Sequence, residues 1–228
     1  MAMRIETQSY SNALQVSRER GNPHSQDVRQ TKEQRHRARF GRLQELDVNN
    51  PVHLQAYFSF LTDPRNRGHF SSPPETAEEL KAECEKPGNH PLVGLNKLGE
   101  VIGGAMIEDA ARNQHDHFLT KVAIDPDLQG RGLGTEMVRN AIDYACTHET
   151  YDRRPRRKLD IAIIVGIPGW EKMRRLVQSF GLFERVSELK NQVDVEVRQK
   201  DGTYAKVTKP TLRYEANLDQ WRTIKGIT

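Results

Sequence analysis

The residues best suited to chemistry lie in VAIDPDLQGRGLGTEM, positions 122 to 137. An apolar strand ends at Ile124, and a turn holding Gly130, Gly132 and Gly134 passes straight into a segment with helical apolar spacing. Glycines in such a turn let a backbone approach a ligand closely. The unpaired N–H groups of a helix start, with roughly half a positive charge from the macrodipole, stabilise an anion. The chemistry implied is a phosphate cradle. Two common phosphate loops do not fit it. A Walker loop needs Lys followed by Ser or Thr after its last glycine, but Thr135 and Glu136 follow Gly134. The dinucleotide fingerprint needs GxGxxG, whereas the spacing from Gly130 is GxGxG.

Other reactive side chains are scattered. His115, Asp116 and His117 stand at the entry to the strand that ends at Ile124, and an imidazole there is poised for proton transfer near neutral pH. Glu108 and Asp109 end the preceding strand and could attract a cation. Tyr204 and Tyr214 belong to the tail strands, where packing on the sheet is the ordinary role. The eight histidines show no HxxxH or HExxH spacing on a predicted helix, so no metal site is expected. Cys84 and Cys146 lack CxxC spacing and read as small buried apolar residues.

These groups must be positioned by a mixed set of elements. ARFGRLQEL, 38 to 46, reads as a first strand. Asn50 and Pro51 supply an N-cap and a first-turn proline for a helix that buries Leu54, Tyr57, Phe58 and Leu61. Thr76 and Glu79 form a capping box for a second helix presenting Ala77, Leu80 and Cys84. PLVGL (91 to 95) and VIGGAMI (101 to 107) read as a hairpin, followed by the strand HFLTKVAI (117 to 124). A long helix then carries Leu133, Met137, Val138, Ala141, Ile142 and Ala145 on one face. The apolar strand LDIAIIV, 159 to 165, precedes a helix bearing Trp170, Met173, Leu176, Val177 and Phe180, closed by Gly181. DVEVR, TYAKV and TLRYEA make an antiparallel finish around an Asp201–Gly202 turn. This order predicts an α/β fold (α+β mixed) with a mostly antiparallel sheet.

Charge is unevenly placed. Residues 1 to 42 hold nine Lys/Arg against four acids, a net of +5, so the remaining 186 residues sit at about −1 of the total +4. The basic balance therefore belongs to an N-terminal arm, 1 to 36, without sustained apolar periodicity, and not to the body at 37 to 228. Nucleic acid is a weaker prospect, reachable only through residues 1 to 42. The longest aliphatic run, 161 to 165, falls far short of the roughly 20 residues of a membrane span, and residues 1 to 12 have no apolar leader. Two cysteines suit a reducing cytoplasm.

Gln129, Gly132 and Gly134, set between a strand ending VAIDPD and an amphipathic helix, resemble the QxxGxG/A pyrophosphate loop of the GNAT family of N-acetyltransferases. The next strand and the helix running into QSFGLFERV resemble the family's following elements, so the likeness covers about 38 to 190. The arm and a segment at about 190 to 208 look like additions. The resemblance implies a single GNAT-like domain, a central sheet splayed at an acetyl-CoA cleft, and helices on both faces. It implies transfer of an acetyl group from acetyl-CoA to an amine acceptor, small molecule or protein, with no metal. Val122, Ala123 and Ile124 would pair with the pantetheine arm as an added strand. Gln129, Gly130, Arg131, Gly132, Leu133, Gly134 and Thr135 would hold the pyrophosphate. The basic cluster Arg153 to Lys158 is a candidate for the 3′-phosphate, and a homodimer is left open.

The catalytic pattern is incomplete. The Tyr that many members place four residues before the closing glycine is Val177 here, an expected Asn is Trp170, and an acidic residue late in the strand falls near Val165. His117 becomes the candidate base, although the matching family position lies nearest to Phe118. The alternative function is a non-catalytic acyl-CoA-binding module whose basic arm meets nucleic acid or a partner.

Overall fold

Asn50 and Pro51 open the first helix as their types require. The Asn50 side-chain oxygen accepts the N–H groups of Val52 and His53, while Pro51 has no N–H to leave unpaired. Helix α1 (Pro51–Thr62) buries Leu54, Tyr57 and Leu61. A single turn, α2 (Pro64–Arg67), follows. Helix α3 (Ala77–Cys84) starts where Thr76 accepts the Glu79 N–H, and the Glu79 carboxylate reaches back to the Glu75 N–H. In this computed structural model the described residues are 36, 39–70, 73–109, 117–150, 153–167, 169–181, 183–198, 201 and 203–227. Residues 1–35, 37 and 38, most of the segment on which the nucleic-acid expectation rests, lie outside them.

Among the described residues seven strands form one sheet: β1 (Phe40–Glu45), β2 (Asn89–Asn96), β3 (Val101–Asp109), β4 (His117–Ile124), β5 (Lys158–Ile164), β6 (Phe183–Arg198) and β7 (Tyr204–Asn217). Their order is β1-β2-β3-β4-β5-β7-β6, and every neighbouring pair is antiparallel except β4 with β5. Strand β6 starts at Phe183 and runs through the segment expected as an addition, so that β6 and β7 make one long hairpin. Helix α4 (Leu133–Thr147) follows β4, and α5 (Trp170–Ser179) follows β5. The tail ends in a helix absent from the sequence reading, α6 (Leu218–Lys225), capped by Asn217 and closed by Gly226. None of the described helices is long and apolar enough to cross a membrane.

The sheet has a core on each face. On the α4 side, Leu92, Ile107, Leu119 and Leu159 of the sheet pack with Met137 and Ile142 of α4, joined by Trp221 of α6, whose indole N–H donates to Asp143 at 2.6 Å. On the other face, Tyr57 and Leu61 of α1 and Leu80 of α3 pack with Val93 and Met106 of the sheet. Both helical layers sit close because glycines remove side chains at the contacts. A Cβ at Gly94 would come within 2.6 Å of the Met137 methyl, and one at Gly104 within 2.3 Å of the Tyr57 ring. Gly104→Ala therefore forces α1 off the sheet. Overpacking of this kind costs about 1–3 kcal/mol, and denaturant unfolding should show that loss with an unchanged m-value. A variant as stable as the parent would mean that Tyr57 repacks freely.

Candidate active site

Strands β4 and β5 share a single register pair, Phe118 with Asp160. Beyond it they part, because β4 is bent. Its register against β3 slips between Thr120 and Ala123, and Lys121 takes the left-handed region with φ 51°. A non-glycine residue is held there at a cost of about 1 kcal/mol or more. The Tyr57 hydroxyl secures it by donating to the Lys121 carbonyl at 3.0 Å. The gap is a cavity of about 390 Å³, walled by Phe118, Thr120, Lys121 and Val122 on one side and Ile161 to Ile164 on the other. Trp170 and Met173 of α5 complete it, and Val193 of the long β6–β7 hairpin lines it too. The same hairpin reaches α2, where the Arg67 guanidinium lies 5.1 Å from the Tyr204 ring centre.

The glycine loop follows β4 directly. The Asp125 carboxylate accepts the Asp127 N–H and starts a 3₁₀ turn at Pro126–Leu128. Gly130 and Gly132 then adopt φ of 78° and 82°, and a Cβ added to either would meet nothing within 4 Å. Gly132 is the N-cap of α4 and offers no side chain to cap it. The first helical bond is from the Glu136 N–H to the Gly132 carbonyl, so the N–H groups of Leu133, Gly134 and Thr135 have no partner among the described residues. Open space, three convergent donors and the dipole of a 15-residue helix fit a pyrophosphate.

Gln129 does something that spacing does not reveal. Its amide donates to Asn66 at 2.7 Å, and Asn66, 2% exposed, donates in turn to the Phe60 and Ile124 carbonyls at 2.9 and 3.0 Å. The loop is thereby tied to the end of β4 through the α1–α2 corner. Asn66 carries no sequence signal beyond its place in a turn-rich link. Arg65 adds a surface ion pair to Asp127 at 2.7 Å, which contributes little.

His117 points away from this cavity. Side chains alternate along a strand. Leu119 packs toward α4, and so does His117, while Phe118 and Thr120 face the side of α1 and α3. The His117 Nδ1 lies 2.9 Å from Asp109, which also holds the His90 Nε2 at 3.0 Å and the Arg156 guanidinium at 2.9 and 3.0 Å. Burial by itself would raise the Asp109 carboxyl, but the hydrogen bonds from His117, His90 and Arg156 outweigh it and hold it well below the usual carboxylate range. His115 and Asp116 lie outside the described residues.

The remaining candidates separate in the same way. Val177 is fully buried in the core against α4. Tyr214 is buried in that core as well, and Tyr204 is exposed. Burial pushes the Cys84 thiol up to about 12 and the Cys146 thiol to about 11, so both are inert. The basic cluster does not meet the glycine loop. It follows the far end of α4, and a 15-residue helix is roughly 22 Å long. Within it Arg156 is fully buried on Asp109, and Lys158 pairs with Glu215 at 2.7 Å. Among the described residues no three His, Cys, Asp or Glu side chains converge to hold a metal. The cavity instead collects Glu108, Glu83 and Lys121, with His69, whose imidazole is pushed down by burial.

An open, mainly antiparallel sheet split at its one parallel pair beside a glycine loop is an architecture shared with solved N-acetyltransferases. The spermidine N-acetyltransferase of Vibrio cholerae, solved with CoA and spermine, superposes with a TM-score of 0.59 over 78% of this chain and 96% of that one, at 15% identity. The ribosomal-protein-S18-alanine N-acetyltransferase of Escherichia coli does so with a TM-score of 0.52 over 77% and 92%, also at 15% identity. Residues 54–153 match the model of the acetyltransferase (GNAT) family. The N-alpha-acetyltransferase RimI of Mycobacterium tuberculosis is 27% identical over 106 residues, 46% of this chain and 60% of that protein. The chain thus spans about three fifths of the length of that curated relative. Over residues 54–153 the chain is thus similar to the acetyltransferase (GNAT) family, and its fold is the one those solved enzymes share.

Proposed function

We propose that this protein transfers the acetyl group of acetyl-CoA to the nitrogen of an amine acceptor. The observation that carries the reading is the parting of β4 from β5 beside a helix start whose N–H groups lack partners. Acetyl-CoA would supply a thioester carbonyl and a thiolate leaving group. The N–H groups of Gly130 to Thr135 would hold its pyrophosphate, with Gln129 keeping the loop in register through Asn66. The free edge of β4 at Val122, Ala123 and Ile124 would pair with its pantetheine arm as an added strand. A backbone N–H of β4 on the Phe118 side of Val122 would polarise the thioester carbonyl, aimed where charge develops. The acceptor would enter from the side of α1 and α3, where Glu83 and Glu108 face the cavity. The two related enzymes named for their acceptors act on amines, spermidine in one case and an alanine of a ribosomal protein in the other. The non-catalytic reading is not favoured beside them. The buried free cysteines suit a cytoplasmic setting.

Calorimetric titration with acetyl-CoA should give saturable one-site binding. A panel of spermidine, spermine, free lysine and an alanine-led peptide should then release free CoA thiol with at least one amine. No binding, or binding with no amine acetylated, would overturn the reading.

A further inference from the structure

We infer that Glu108 is the base that deprotonates the acceptor, an inference that rests on the acetyl-transfer reading above. Four described titratable side chains line the cavity: His69, Glu83, Glu108 and Lys121. Their positions along β4 separate them. The pyrophosphate donors lie beyond Ile124, at one end of the strand, so the arm of the acyl carrier runs back along β4 and delivers its thioester toward Phe118, where the strands meet. His69 is at the wrong end. It lies three residues from Asn66, which grips the Ile124 carbonyl, and its Nε2 lies 3.9 Å from where a Cβ on Gly169 would stand. Phe118 and Ile124 are six residues apart on the strand, roughly 20 Å at full extension. Glu108 stands directly across the ladder from Phe118 on the same face.

The two carboxylates also differ. The Lys121 ammonium sits 2.6 Å from Glu83 and 3.8 Å from Glu108, so Glu83 is its close partner. Glu108 instead accepts the Thr120 hydroxyl at 2.6 Å, with its side chain one-third exposed to the cavity. That hydroxyl aims the carboxylate at the place where β4 and β5 begin to part. In the reaction a proton passes from the acceptor ammonium to Glu108, and the freed nitrogen lone pair attacks the thioester carbon. The C–N bond forms and the C–S bond breaks, with its electron pair leaving on sulfur. The second N–H proton ends on the thiolate, and Glu108 returns its proton to solvent. The products are an amide, a CoA thiol and one proton.

Glu108→Gln keeps the Thr120 contact and the volume but cannot take a proton. Its acetyl-CoA affinity should stay within about threefold of wild type. Turnover with the best amine of the panel should fall by about 100-fold or more, the range general bases supply, and the acid limb of the kcat/KM–pH profile should flatten. Thr120→Val, which frees the carboxylate to swing, should lower kcat by a smaller factor and shift that limb. Glu108→Gln with wild-type turnover and an unchanged pH profile overturns the assignment while leaving acetyl transfer standing. A loss confined to KM makes Glu108 a binding group and also overturns it. Wild-type protein that binds no acetyl-CoA or acetylates none of the amines overturns both readings.

Discussion

Gly132→Asp is expected to weaken acetyl-CoA binding by at least 100-fold, about 2.7 kcal/mol, while leaving the fold nearly as stable as before. The two effects separate for a physical reason. Gly132 sits at φ 82°, so any side chain there costs about 1 kcal/mol of backbone strain. Aspartate, however, is a favoured N-cap, and its carboxylate can accept from the same N–H groups of α4 that would hold a phosphate. Capping returns about what the strain removes. The ligand then meets a fixed negative charge in its own site. Gly132→Ala brings strain without charge and meets no atom within 4 Å, so it should lose stability and weaken binding far less, by about tenfold. Calorimetry and thermal melts on both variants give the comparison. An aspartate variant that binds as tightly as wild type would show that the loop is a plain strand-to-helix turn.

The opposite pattern is expected for Asp109→Ala: large loss of stability, little change in catalysis per folded molecule. Arg156 is fully buried, and its charge is answered by Asp109 with two hydrogen bonds. Removing one partner of a buried pair typically costs 3–5 kcal/mol, which in a chain of this size lowers Tm by roughly 10 °C or more. The pH dependence has a definite sign. The folded carboxyl titrates below its unfolded value, so its contribution is fully present above the ordinary Asp range near pH 4. It is lost as pH falls from there toward the lower folded value. Wild type should therefore lose stability below about pH 4 along a component that the variant lacks. Chemical unfolding from pH 7 to 3 tests this. A variant as stable as wild type at neutral pH would show that the charge of Arg156 is answered without Asp109.

Local features of this chain were legible because each is specified within a few residues. Asn50–Pro51 and Thr76–Glu79 cap their helices through bonds only two to four residues long. The glycines at 130 and 132 permit the positive φ that they adopt, and apolar residues at helical spacing from Leu133 to Ala145 state which face of α4 is buried. Hence the strand–loop–helix unit could be read without a structure. Helix α6 was missed because eight mostly polar residues bury only Leu218 and Trp221, too few to show a period.

The base could not be read, for a different reason. Along a strand a step of one residue reverses the face, so His117 and Phe118, or Asp109 and Glu108, differ in sequence by nothing that decides between them. The decision comes from partners far away in the chain. Arg156 and His90 draw Asp109 and His117 to the α4 side, whereas Lys121, bent out by the bulge that Tyr57 holds, pairs with Glu83 and Glu108 on the other. The sequence by itself determined a glycine-rich strand-to-helix loop and the elements around it, since hydrogen-bond caps and side-chain periods are local. Only the tertiary structure decided where β4 and β5 part and which carboxylate stands there, because sheet order, register and face are set by contacts between residues dozens of positions apart.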